Sequence, residues 1–95
     1  MPSYIALLNW TQPGIQNVKD SPARLEQAKA ATKAAGGEIK SFYMTLGQYE
    51  VVAVIEAPDD ALAKVMLAIA SQGRVRSQTL KAFTEDEYRS IVGAL

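Results

Sequence analysis

Two uninterrupted apolar runs, Tyr4-Ile5-Ala6-Leu7-Leu8 and Val51-Val52-Ala53-Val54-Ile55, restrict the folding of this chain more than anything else in it. Runs this short with apolar side chains at every position read as strands that must be covered on both faces. Residues 3–10 form the first strand, with Tyr4, Ala6, Leu8 and Trp10 on one face and Ile5, Leu7 and Asn9 on the other.

The second run belongs to a hairpin, residues 38–57, whose strands join at Gly47-Gln48. Glycine adopts positive φ without a Cβ penalty, which suits the first central position of a type II′ turn. A two-residue loop pairs Leu46 with Tyr49. It puts Phe42, Met44, Leu46, Tyr49, Val51, Ala53 and Ile55 on the core face. Ser41, Tyr43, Thr45, Glu50, Val52, Val54 and Glu56 take the other. A slip of one residue would exchange every assignment.

Residues 11–20 read as a loop around the Pro13-Gly14 turn. Ser21 is then the expected N-cap, with Pro22 at the first helical position. That helix runs to about Ala35, buries Leu25, Ala28, Ala31, Thr32 and Ala35, and turns Arg24, Glu26, Lys29 and Lys33 outward or to its flanks. Its small residues point to close approach to a sheet, and Gly36-Gly37 ends it through a positive-φ cap. A second helix starts at Pro58-Asp59-Asp60 with Asp59 as N-cap, buries Leu62, Val65, Met66 and Ile69, and stops at Gly73. Residues 74–83 form a fourth, more polar strand suited to an edge. Thr84 and Glu87 have capping-box spacing before a last helix, whose Tyr88, Ile91, Val92 and Leu95 are expected to pack down.

The resulting order is β-α-β-β-α-β plus a terminal helix over a single domain, residues 1–95: an α+β, ferredoxin-like arrangement with an antiparallel sheet. Right-handed crossovers place both long helices on one sheet face and strands one and three at its centre. The helices then leave Val52, Val54 and one apolar row of the first strand uncovered. A patch of that kind predicts a homodimer through the sheet face, two copies closing an α/β barrel; a monomer with a bare apolar face is the alternative.

Composition mainly excludes. The chain has no cysteine and no histidine, which removes thiolate and imidazole ligands, disulfides, thiol catalysis and the commonest general base. Ten Lys plus Arg balance ten Asp plus Glu, so no net field attracts nucleic acid or an anionic membrane. No apolar stretch reaches the roughly 20 residues of a membrane span, and the start MPSYIALLNW lacks a basic region. A cytoplasmic protein without cofactor or metal is the expectation. Asp59-Asp60 and Glu85-Asp86-Glu87 are helix-start residues rather than metal ligands.

Four segments, LLNWT at 7–11, GIQNVKDSPAR at 14–24, FYMTLGQYEVVAVIEAPDD at 42–60 and RVRSQTLKAFTEDEY at 74–88, together resemble the GYD-domain family of small bacterial proteins in the dimeric α/β-barrel group. The resemblance covers nearly the whole length. The family's Gly-x-Tyr-Asp motif corresponds to Gly47, Gln48, Tyr49 and Glu50, with the carboxylate one methylene longer. The resemblance implies the dimeric barrel and supplies no activity.

Candidate site residues cluster near strand ends. Asn9 and Trp10 offer an amide and a stacking ring that either hold a small planar ligand or plug the barrel's end. Gly47, Tyr49 and Glu50 either form a site or serve as turn, core and hydrogen-bond acceptor. Tyr43 and Tyr4 are hydrogen-bond donors for a cavity or filler for an interface. As bases near pH 7 they would need a cationic neighbour such as Arg74, Arg76 or Lys81. Asn17, Lys19 and Asp20 precede a helix start that could take an anion, but no glycine-rich phosphate motif accompanies them.

Three functions follow as expectations. The first is a binding protein for a small, partly apolar molecule, with polar groups from Asn9, Trp10, Tyr43 and Glu50 and a pocket between sheet and helices or at a barrel mouth. The second is an enzyme like the cofactor-independent monooxygenases of related barrels, with Glu50, Glu56 or a perturbed tyrosine as base. The third is a purely structural or assembly module extended through strand edges.

Overall fold

The computed structural model describes residues 1–95. The elements are β1 (Ser3–Trp10), α1 (Gln12–Gln16), a 3-10 turn (Val18–Asp20), α2 (Ser21–Ala34), β2 (Glu38–Met44), β3 (Val51–Glu56), α3 (Asp59–Ser71), β4 (Val75–Ala82) and α4 (Glu85–Gly93). The strands form one antiparallel sheet in the order β2-β3-β1-β4. The two strands that are apolar on both faces are therefore central, and polar β4 is an edge. This is the expected ferredoxin-like α+β fold with an added C-terminal helix.

The face assignment follows the sequence where the ladder is regular. Tyr4, Ala6 and Leu8 lie opposite Ile55, Ala53 and Val51, while Ile5 and Leu7 lie opposite Val54 and Val52. The first set carries the buried core, in which Tyr4, Ala6, Ala53, Ile55, Ala57 and Leu62 form one cluster. On the second face Ile5, Leu7, Val52 and Val54 are only half-buried, because α2 and α3 both lie against the first. Tyr4 also donates its hydroxyl hydrogen to the Asp59 carboxylate.

The hairpin departs from expectation at both ends. Met44 pairs with Val51, the register foreseen, but β2 stops there and β3 resumes only at Val51. The loop is thus longer than Gly47-Gln48. Its base closes where the Thr45 N–H donates to Glu50 O at 2.8 Å and the Thr45 hydroxyl donates to Tyr49 O at 2.6 Å. Gly47 keeps its positive φ, +128°, at the tip. Further along, the register shifts between Ile39 and Ser41, a bulge at Lys40 that no turn residue announces.

The stretch after β1 is helical rather than a loop. Thr11 caps α1 by accepting from the Gly14 N–H at 3.3 Å, and Pro13 sits in the first turn, where it is tolerated. Helix α2 starts one residue earlier than expected, with Asp20 at the N-cap position and Ser21 already helical; Pro58 likewise takes the N-cap position of α3 in place of Asp59. Neither capping residue makes a side-chain bond. In α2, Thr32 is buried, its hydroxyl donating to Ala28 O at 2.7 Å, while Leu25, Ala28 and Ala35 are half-buried and Ala31 is exposed.

Helix α4 begins with the expected capping box. The Thr84 N–H donates to Glu87 Oε1 at 2.8 Å and the Glu87 N–H to Thr84 Oγ1 at 3.2 Å. The backbone bond from Thr84, then the hydroxyl contact, holds the Glu87 carboxyl below its ordinary pKa. The expectation that α4 packs down is not met: Tyr88, Ile91, Val92 and Leu95 are all exposed. Helices α2 and α3 already occupy the sheet face it would need. The radius of gyration, 14.3 Å, accordingly exceeds the about 12.4 Å of a compact chain of this length.

Gly14 meets the turn before β4 so closely that a Cβ would lie 1.8 Å from Arg74 O. Backbone cannot yield that far, so Gly14→Ala is expected to lower the thermal midpoint by about 10 °C or more. Gly36→Ala meets open space and only the strain of φ +93°, and should cost about half as much in the same melting experiment. Equal losses would show that the contact with Arg74 is soft.

Candidate functional site

Towards the C-terminal end of β1 the sheet and the long helices diverge around a cavity of about 380 Å³. Leu8 and Val51 form its sheet wall, Leu25, Ala28 and Ala31 come from α2, and Val65, Ala68 and Ile69 come from α3. The cause is the distribution of side-chain size. At the other end of the sheet Tyr4, Ile55 and Leu62 fill the space between the layers. Here α2 contributes two alanines, Ala28 and Ala31, to the lining, and these small side chains leave volume unfilled where the sequence had pointed to close approach. A cavity of this size is at the lower end of the roughly 300–1,000 Å³ of small-molecule pockets, which are usually apolar with few polar groups.

The polar groups gather on one side. A second, polar cleft lined by Asp20, Ala23, Arg24, Gln27, Gln72 and Arg74 shares Arg24, Gln27, Gln72 and Arg74 with the cavity, so the two are contiguous. Arg24 Nη2 donates to Asn17 O at 2.9 Å. The three ion pairs of the chain join Lys29 with Glu26, Lys40 with Glu38 and Arg89 with Glu85, so neither arginine of this mouth is paired. Both arginines are half-buried. Arg74 is placed by a backbone ledge. The Thr11 N–H donates to Arg74 O at 3.0 Å, the Thr11 hydroxyl donates to Gly73 O at 2.6 Å, and Gly14 lies against the Arg74 carbonyl.

Of the residues expected at the site, Asn9 and Trp10 line the cavity. Glu50 lies behind them, its carboxylate accepting the Trp10 N–H at 2.7 Å. The reason is in the ladder: β3 begins at Val51, opposite Leu8, so the Trp10 amide on that side has no strand partner and Glu50 supplies the acceptor. The Glu50 N–H itself donates to Leu8 O at 3.0 Å. This role needs only an acceptor, which glutamate provides as aspartate would.

Tyr43 is not brought to the cavity. It pairs with Val52 on the opposite sheet face and is 62 % exposed. Tyr49 does not start the core face either. Its hydroxyl bonds Gln78 Oε1 at 2.8 Å, and Gln78 is the register partner of Leu7 on the uncovered face. The chain has left the ladder at Tyr49, so strand alternation no longer fixes its direction. Gly47 stands at the exposed loop tip with nothing within 4 Å of a built Cβ. Tyr4 is buried in the core, and exposed Arg76 and Lys81 are absent from the lining, so no tyrosine meets a cation there.

The polar residues of the cavity's mouth, Arg24, Gln27, Gln72 and Arg74, were not among the expected site residues. Arg24 was read as facing outward or flanking the buried stripe of α2, and Arg74 only as a neighbour for a tyrosine; Gln27 and Gln72 were not singled out. The one hint is that Arg24 and Gln27 flank Leu25 and Ala28 on α2. No group of three or more acidic side chains is placed to hold a metal ion. Glu50→Ala, which strands the Trp10 amide, is expected to cost about 1–3 kcal/mol in urea unfolding, whereas Glu50→Gln keeps an acceptor and should cost less than about 1 kcal/mol. Equal losses would give the carboxylate charge, not the acceptor, as the cause.

The fold agrees with what comparison with known proteins finds. At the level of fold, the structure matches the feast or famine regulatory protein from M. tuberculosis complexed with L-methionine, with a TM-score of 0.66 and 22% sequence identity over 88% of this chain. The match spans about half, 51%, of that longer chain. In sequence, the chain is 34% identical over 84 residues to the glutamine synthetase and cystathionine beta-lyase binding protein of Thermus thermophilus, covering 86% of this chain and 88% of that protein. The family model of the GYD domain matches residues 4–92, and this chain belongs to that family.

Proposed function

We propose that this protein is a homodimeric binding protein for a small, partly apolar molecule, and that the cavity between the sheet and the two long helices is its site. The observation that carries this reading is the cavity itself: an apolar space of about 380 Å³, open through a polar mouth, in a chain this small. The likeness to a regulator bound to methionine supports the fold's capacity for a small ligand. The enzymatic alternative is less favoured at this cavity because none of its expected bases lines it: Tyr43 faces away, Glu50 is engaged by backbone, and Glu56 is absent from the lining.

Dimerisation is supported by surface area. The chain exposes 6447 Å², about 1,100 Å² more than the roughly 5,350 Å² expected of a compact monomer of its mass. A standard interface buries about 800 Å² per partner. The half-buried row Ile5, Leu7, Val52 and Val54 and the exposed side of α4 are the surfaces that a second copy would cover. A second reading, binding to other proteins, is favoured by the name of the Thermus relative and by the same exposed helix. It is compatible with the first, as a ligand in the cavity could govern a partner on the surface.

Val52→Lys places an ammonium in the middle of the uncovered face and is expected to convert a dimer to a folded monomer in analytical ultracentrifugation at micromolar concentration. A wild type that is already monomeric there would remove the dimer from the proposal. For the ligand, thermal-shift screening against a broad metabolite set should give at least one compound that raises the melting temperature of the wild type and not of Ala28→Trp, which fills the cavity; a response shared by both proteins would place binding elsewhere.

A further inference from the structure

The cavity has an electrical asymmetry that narrows its ligand further than size and apolarity do. Its interior is bounded by Leu8, Leu25, Val65 and Ile69, none of which offers a hydrogen bond. Its mouth holds Arg24 and Arg74, both half-buried and both without an ionic partner. Asp20 is the one acidic residue at that mouth, and it forms no ion pair with either arginine. Two guanidinium groups against one carboxylate leave a local excess of one positive charge beside an apolar space.

Half-buried arginines without partners have given up part of their hydration without gaining a counter-charge, an arrangement that an incoming anion relieves. A guanidinium presents five N–H donors in a planar fork suited to a carboxylate. Of Arg24's donors one is used, on Asn17 O, and Arg74 makes no side-chain bond within the chain. The ledge formed by Thr11 and Gly14 fixes the backbone of Arg74, so this cation is attached to a rigid support. The single unit of excess charge favours a monoanion over a phosphate dianion, and Gln27 and Gln72 can bond the remaining oxygen lone pairs.

Resting on the reading of this cavity as a small-molecule site, we infer that its ligand class is the apolar monocarboxylates: an acid held at the Arg24–Arg74 mouth, with an aliphatic or aromatic body between Leu8, Leu25, Val65 and Ile69. Neutral molecules of the same skeleton satisfy the interior but leave both guanidinium groups as they are. Cations are disfavoured at the mouth.

The test uses the intact wild-type protein at pH 7 and isothermal titration calorimetry with octanoate and 2-naphthoate, beside octanol and 2-naphthamide as uncharged counterparts. At least one acid is expected to bind about tenfold or more tightly than its counterpart, and Arg24→Gln and Arg74→Gln each to weaken the acid about tenfold, with a much smaller effect on the neutral compound. If the neutral compounds bind as well as the acids, or if neither substitution discriminates between them, the monocarboxylate class is overturned while the cavity remains a binding site. If neither acid nor neutral compound binds, the ligand class and the reading on which it rests both fall.

Discussion

Two central strands with apolar residues on both faces cannot be satisfied by helices on one. That mismatch organises the rest of the molecule. Leu7 and Val52 lie one residue along their strands from Leu8 and Val51, yet pleating sends the first pair to the uncovered face and the second to the cavity wall. The same two strands therefore serve an internal surface and an external one. A chain of this size has only a small core with which to support both: 12 of its 95 residues are buried, and its large apolar side chains contribute only Tyr4, Val51, Ile55, Leu62 and Val65 to them.

The helix side is itself divided. Where Tyr4, Ile55 and Leu62 meet, the layers are filled and the Tyr4 hydroxyl fastens the first turn of α3. Where α2 turns Ala28 and Ala31 inward, the layers part. A filled end and a hollow end on one continuous sheet give the hollow end a rigid floor, which is what a site needs to hold its walls in place. The C-terminal end of β1 then fixes the rim: Thr11 carries the Gly73–Arg74 turn, and Glu50 completes the hydrogen bonding of Trp10.

What was legible in the sequence is what depends on near neighbours. The capping box of Thr84 and Glu87, the positive-φ stops at Gly36 and Gly73, and the central places of the two apolar strands all came through. The errors fall where a distant group competes with a local rule. Gly47-Gln48 suffices for a two-residue turn, but Thr45 closes the loop from below and β1 draws Glu50 to itself, which opens the hairpin and turns Tyr49 over. Pro13-Gly14 reads as a turn, but the Thr11 cap makes it the first turn of a helix. At the candidate site Asn9 and Trp10 were legible because strand ends are predictable. Arg24 and Arg74 were not, because only the tertiary fold brings the start of α2 and the turn before β4 to one cleft.

The hollow end also ties the protein's existence to its surroundings. An empty, sealed space of 380 Å³ would forfeit about 9 kcal/mol at the roughly 24 cal/mol per Å³ of a rigid core void, a large part of the total stability of a domain. The open mouth lets water relieve much of that loss, and a bound molecule relieves more, adding stability in proportion to the logarithm of its concentration over its dissociation constant. Whatever fills the cavity thus acts on the folding equilibrium as well as on occupancy. If the proposed ligand fills the cavity, then in a cell where unfolded chains are steadily degraded the amount of this protein would rise and fall with that ligand's supply, making abundance itself a readout.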